Sequence, residues 1–137
     1  MLRDALGDDA RLVDVSSAGT VARDGEPASD GTRRIAEHAG LDLGGHRARR
    51  LTPELARAAD LVLVMESEHH AAVLALGAPA ARVHLMSEWP APGEPGQPVA
   101  DPYGGSVEAY EECWRRIRRH VERIVPQVRE ALRARSA

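Results

Sequence analysis

Apolar residues recur along this chain at two different periods, and the switches between them mark the elements. The clearest signal is near the C-terminal end. There Tyr110, Trp114, Ile117, Val121, Ile124, Val128 and Leu132 follow one another at intervals of three and four, which lays one apolar stripe along a helix. Pro126 falls inside that stripe and lacks the amide hydrogen a helix interior uses, so a kink or a break is expected there. Leu61-Val62-Leu63-Val64-Met65 is instead a continuous apolar run, the pattern of a strand covered on both faces. Arg82 to Met86 reads as another short strand, and Leu12 to Val15 as a strand running into Ser16-Ser17-Ala18-Gly19.

Helices are expected between these runs. Met1 to Leu6 has helical composition and is ended by Gly7-Asp8-Asp9. Ser29 or Asp30 suits the N-cap of a helix through Ala39, which Gly40 closes. Thr52-Pro53-Glu54 opens another, with Thr as cap and Pro at the first helical position. A further helix runs from Ser67 to about Leu76. Thr20 to Gly31 is a polar surface loop, Leu41 to Arg50 a connector, and Ser87 to Tyr103 a long Pro- and Gly-rich loop. In a compact domain, loops of that length are usually functional or disordered. Strands alternating with helices imply an α/β fold, a parallel sheet with helices on both faces. At 137 residues and without internal repeats, one domain over 1–137 is expected.

Composition changes this picture little. Hydrophobic residues make up 43% and charged residues 28%, ordinary values, but there is no Phe. The core must therefore be built from Ala, Leu and Val. A net charge of -3 argues against nucleic acid as a partner, despite dense arginine near Arg47–Arg50 and Arg115–Arg119. No apolar run approaches the roughly 18 residues of a membrane span, and the first residues do not follow the pattern of a secretory signal. The single cysteine forbids an internal disulfide and fits the reducing cytoplasm.

Asp101-Pro102-Tyr103-Gly104-Gly105 ends the long loop. A carboxylate beside a rigid proline and an aromatic ring suits protonation of a leaving oxygen while the ring stacks on a substrate. The same residues also suit a plain turn into a helix. Cys113-Trp114-Arg115-Arg116-Ile117-Arg118-Arg119 matches C-x5-R literally. It lies in the helical stripe, however, where amides are spent along the axis and cannot converge on an anion. Cys113 reads as a half-buried structural cysteine. His69-His70 has no further ligand at suitable spacing, so no metal is expected and a solvated helix face is the reading. Arg47, Arg49 and Arg50 could attract anionic partners, although a solvated, partly paired face is the reading preferred.

Four segments occur in order: Val15-Ser16-Ser17-Ala18-Gly19-Thr20, Gly45-His46-Arg47-Ala48-Arg49-Arg50-Leu51-Thr52, Ala59-Asp60-Leu61-Val62-Leu63-Val64-Met65 and Asp101-Pro102-Tyr103. Together they resemble the low-molecular-weight phosphotyrosine phosphatases, including relatives that act on phosphoarginine, over nearly the whole chain. The resemblance implies a three-layer α/β/α, Rossmann-like fold without cofactor. It also implies phosphomonoester hydrolysis through a phosphocysteine intermediate, with a phosphorylated protein or small phosphomonoester as substrate. Asp101 would be the general acid, and Tyr103 the aromatic wall of the substrate slot. Ser17 and His46 would hydrogen-bond beneath the phosphate loop and hold it. Arg49 falls near the family's active-site network. Glu66 stands where many relatives carry Asp, and Gly104 where many tyrosine-directed members carry a second aromatic residue. That departure leans towards the Gly-Gly subgroup, so phosphotyrosine and phosphoarginine both stay open. The related arsenate reductases need redox cysteines that this chain lacks.

The family opens with a strand leading into a C-x5-R-S loop, whereas Met1 here aligns inside the helix that follows such a loop. The expectation is a chain missing its central first strand and its nucleophilic cysteine, inactive alone. It would be unstable or self-associating through exposed strand edges. Two functions remain: a phosphatase whose loop lies upstream, or a catalytically dead, phosphatase-derived binding or regulatory module.

Overall fold

The computed structural model describes residues 1–91 and 98–137. The Pro/Gly-rich loop expected from Ser87 to Tyr103 lies partly outside these, at 92–97.

The chain opens with helix α1 (Leu2–Leu6), and Gly7 at φ 57° lets it turn into a 3-10 segment over Gly7–Leu12. Helix α2 (Asp30–His38) starts on Ser29, whose Oγ accepts from the Thr32 amide at 3.3 Å. Helix α3 (Pro53–Ala58) starts on Thr52, whose Oγ1 accepts from the Leu55 amide at 3.3 Å. Strand β1 (Val62–Val64), helix α4 (Ser67–Ala75) and strand β2 (Val83–Leu85) follow, with a short 3-10 turn at Ala80–Arg82 before β2. Helix α5 (Val107–Ser136) closes the chain.

The fold is α/β with a parallel sheet. β1 and β2 pair in parallel with Val62 opposite Val83 and Val64 opposite Leu85, and α4 makes the crossover between them. Val64, Val73, Val83, Ala56 and Ala78 form the core of this unit, with Leu51, Val62, Leu74, Leu76 and Leu85 packed around it. A second core joins the ends of the chain. Leu6, 1% exposed, meets Val121 and Val125 of α5, with Val13, Val15, Ile117 and Val128 at its margin. Arg129 secures the junction, its Nε donating to Asp9 Oδ2 at 2.8 Å and its Nη2 to the Leu6 carbonyl at 3.3 Å.

Three expectations need correction. Among the described residues Leu12 to Val15 is not a ladder strand: Leu12 ends the 3-10 turn, and Val13 is extended with no strand partner there. The alternation of apolar residues is real, but it serves docking, because Val13 and Val15 pack beside Leu6. The β1 run is not covered on both faces, for Val64 is buried while Leu61, Val62, Leu63 and Met65 are only half-buried. Among the described residues β1 has one ladder neighbour. Nor does Pro126 break the last helix, since α5 is one element of 30 residues. Pro126 sits on the solvent side, and burial of Val121, Ile124 and Val125 in the turn before it compensates for the amide bond it cannot make.

Candidate active site

The carboxyl end of β1 organises the site. Past Val64, the Met65 carbonyl accepts from the Val99 amide at 3.1 Å, and Val99 is 3% exposed. The segment after 97 is thereby pinned where the strand ends, the place at which open parallel sheets leave a crevice for ligands. Asp101 follows two residues later, exposed. Its Oδ1 accepts from the Tyr103 amide at 3.0 Å, a turn made by the aspartate on its own backbone. That bond uses one carboxyl oxygen and leaves Oδ2 open. Pro102 accepts from the Gly105 amide at 2.8 Å, and Gly104 adopts φ 75°, a left-handed conformation that a side chain would strain. A Cβ on Gly105 would lie 2.8 Å from the Pro102 oxygen. The double glycine therefore lets the turn fold tightly against the start of α5, where the Ser106 Oγ accepts from the Ala109 amide at 3.2 Å. Tyr103 is left 79% exposed, its ring available to a ligand.

Ser17 and His46 lie on two strands of chain that run together. Gly19 donates to the Arg49 carbonyl at 2.8 Å and accepts from the Leu51 amide at 2.9 Å. Ala48 donates to the Glu26 carbonyl at 2.7 Å and accepts from the Gly25 amide at 2.8 Å. Ser17 precedes this ladder and His46 begins its other side. Both are exposed. Neither side chain is hydrogen-bonded to the other or to Asp101 among the described residues. The structure thus joins Asp101 to Tyr103, and leaves Ser17 and His46 with open polar groups on a separate ladder.

Cys113 lies inside α5, half-buried. Burial raises its thiol pKa above the ordinary value and the Asp101 carboxylate raises it further, while Arg116 pulls the other way. A nucleophilic cysteine needs the opposite shift. Cys113 therefore stays structural, but its proximity to Asp101 is something no spacing in the sequence reveals. Arg116 and Arg115 hold Glu112 through bonds of 3.0 and 3.1 Å and keep its carboxyl below the usual range. Tyr110, on the same helix, covers the start of α2 so closely that a Cβ on Gly31 would lie 2.7 Å from its ring.

Two surface readings change. His69 and His70 are half-buried rather than solvated, because α4 lies on the sheet. No group of potential metal ligands occurs among the described residues. Arg47, Arg49 and Arg50 are exposed and form no ion pairs among the described residues, so that face is not partly paired. The nearby Asp24 carboxylate is taken by a backbone group, accepting from the Arg50 amide at 2.7 Å. Glu66, after the strand-ending Met65, stands at the N-cap of α4 with no side-chain cap bond.

Comparison with known proteins identifies the family and the fold. Residues 1–134 match the family model for low molecular weight phosphotyrosine protein phosphatase. A probable low molecular weight protein-tyrosine-phosphatase, EpsP of Ralstonia nicotianae, is 35% identical over 125 residues, covering 85% of this chain and 78% of that protein. The crystal structure of the tyrosine phosphatase AmsI of Erwinia amylovora superposes with a TM-score of 0.80 at 28% identity, covering 92% of this chain and 79% of the other. A YwlE arginine phosphatase mutant with a phosphorylated active-site serine also gives a TM-score of 0.80, at 25% identity, over 93% of this chain and 84% of the other. No helix among the described residues is long and apolar enough to cross a membrane. The chain belongs to the low molecular weight phosphotyrosine protein phosphatases, a family of hydrolases that act on phosphorylated proteins.

Proposed function

We propose that residues 1–137 are a single domain forming the acid-bearing side of a phosphomonoesterase site, with Asp101 as general acid. The observation that carries this is the Asp101 turn at the carboxyl end of β1, with one oxygen held and the other open. As the phosphorus–oxygen bond to the leaving group breaks and a sulfur–phosphorus bond forms, Asp101 gives its proton to the departing oxygen. In the second step its carboxylate takes a proton from the water that attacks phosphorus, and phosphate and thiolate are released. Tyr103 walls the substrate slot. Ser17 and His46 present their open polar groups to the loop that cradles the phosphoryl oxygens.

The thiolate must come from a C-x5-R-S loop, because Cys113, the chain's one cysteine, lies within a helix with its thiol pKa raised. Gly104 leaves Tyr103 as a lone ring, a roomier slot that suits phosphoarginine as well as phosphotyrosine. The reading places the protein in the cytoplasm, where thiols stay reduced. It also has the edge of β1 that carries no ladder partner among the described residues as the surface for self-association.

The test is to fuse the chain behind a strand and C-x5-R-S loop taken from a curated relative and to assay aryl phosphates. Turnover should appear, and Asp101→Asn should lower kcat about 10²–10⁴-fold while vanadate still binds. Undiminished turnover in Asp101→Asn would remove the general-acid role. Turnover by the unfused chain, lost in Cys113→Ser, would remove the view of Cys113 as structural.

A further inference from the structure

Most arginines outside one ladder of this protein are answered by an acid or a carbonyl, with Arg11, Arg34 and Arg133 excepted among the described residues. On α5, Arg115, Arg116 and Arg119 share Glu112, and Arg118 meets Glu122. Arg129 pairs with Asp9, Arg135 with Asp60, Arg33 with Asp30 and Arg3 with Asp14. The ladder between Arg23–Glu26 and His46–Arg50 differs in that none of its arginine side chains meets an acid among the described residues. Arg23, Arg47, Arg49 and Arg50 are all exposed there, and none forms an ion pair among the described residues. Arg47 is held by the Gly44 and His46 carbonyls, at 3.0 and 2.7 Å, which orient its guanidinium without neutralising it. Two acids share the ladder. The Asp24 carboxylate is turned to the Arg50 amide, whereas Glu26 meets Ala48 through its backbone carbonyl and keeps its carboxylate exposed. Just beyond the ladder, Asp42 accepts from the Gly44 amide at 2.8 Å. Four cations thus face solvent against two acids, on a chain whose net charge is -3.

The place of this patch matters as much as its charge. The same backbone bonds that align it carry Ser17 at one end and His46 at the other, the two residues assigned above to the phosphate loop. The ladder's backbone groups are largely spent on one another, so a ligand would meet its side chains, four guanidinium groups against two carboxylates.

We infer that this ladder is a docking face for acidic residues flanking the phosphorylated residue of a protein substrate. The inference rests on the phosphatase reading and adds the substrate class to it. A planar guanidinium offers paired donors to a carboxylate, which suits Asp- and Glu-rich sequence next to the phosphoryl group. The face also attracts such segments over about a Debye length, and added salt weakens the attraction.

The experiment measures binding of fluorescent phosphotyrosine peptides to the full chain by anisotropy. One peptide has Asp and Glu on both sides of the phosphorylated residue, and the other has Asn and Gln. The acidic peptide should bind about tenfold more tightly at low salt, with the gap closing as salt rises. Arg49→Gln/Arg50→Gln should abolish the gap, and Arg49→Lys/Arg50→Lys should keep most of it. Circular dichroism checks that both variants fold, and the peptide swap on the unaltered chain stands even where a variant does not. Equal binding of the two peptides overturns the inference, as does a gap that survives the Gln variant. A polythymidine oligonucleotide binding more tightly than the acidic peptide also overturns it, in favour of nucleic acid. An acidic peptide without phosphate that still binds through Arg49 and Arg50 supports the docking face. Failure of the fused chain to turn over would then fall on the catalytic reading alone.

Discussion

The Val99 amide donates to the Met65 carbonyl at 3.1 Å, and this bond holds the approach to Asp101 against the carboxyl end of β1. Val99 is buried while Pro98, Ala100 and Asp101 are exposed. One side chain anchors the segment and the carboxylate projects beyond it.

Truncating that anchor should both destabilise the protein and loosen the acid. Val99→Ala is expected to cost about 1–3 kcal/mol in urea unfolding and to lower kcat of the fused chain more than it raises KM. Unchanged stability and turnover would mean that the Asp101 loop is positioned by something else.

Gly31 and Tyr110 offer a test of packing. A Cβ at Gly31 would sit 2.7–2.9 Å from ring atoms of Tyr110, so Gly31→Ala should destabilise by about 1–3 kcal/mol even though Ala favours a helix. Combining it with Tyr110→Ala should cost less than the sum of the two single changes. Strict additivity in that cycle would show that the ring moves aside freely.

The Cys113 thiol reports on Asp101 without any need for turnover. Burial and the Asp101 carboxylate both raise its pKa, which disfavours the thiolate. Alkylation by iodoacetamide at pH 8 should therefore be slower than for an exposed thiol and should quicken as pH rises. Asp101→Asn removes one of the two raising influences, lowers the thiol pKa and should speed alkylation at fixed pH. Alkylation no faster in Asp101→Asn would separate the two groups.

Local chemistry made much of the fold legible in the sequence. Ser29, Thr52 and Pro53 cap helices for backbone reasons that need no tertiary context, and the stripe from Tyr110 to Leu132 can only be a helix. Val13 and Val15 misled because alternation records which side chains are buried, not which backbone groups pair. Pro126 does not break α5, because its site is exposed and the cost of a missing amide depends on what is buried around it. At the site, Asp101 and Tyr103 could be picked out because they are neighbours in one short turn. The closeness of Cys113 to Asp101 depends on how α5 lies against the loop. Likewise, the lack of an ion pair at Arg49 and Arg50 among the described residues depends on which strands of chain come together. Neither is written in any local pattern.

Asp101 as proton donor is tested most directly by the response of the fused chain to leaving-group basicity. Across aryl phosphates of increasingly basic phenols, kcat/KM should fall only gently in the parent protein, because the departing oxygen is protonated as it leaves. In Asp101→Asn the decline should be steep, with phenyl phosphate losing far more than p-nitrophenyl phosphate. Parallel declines in the two proteins would show that Asp101 gives no proton to the leaving group.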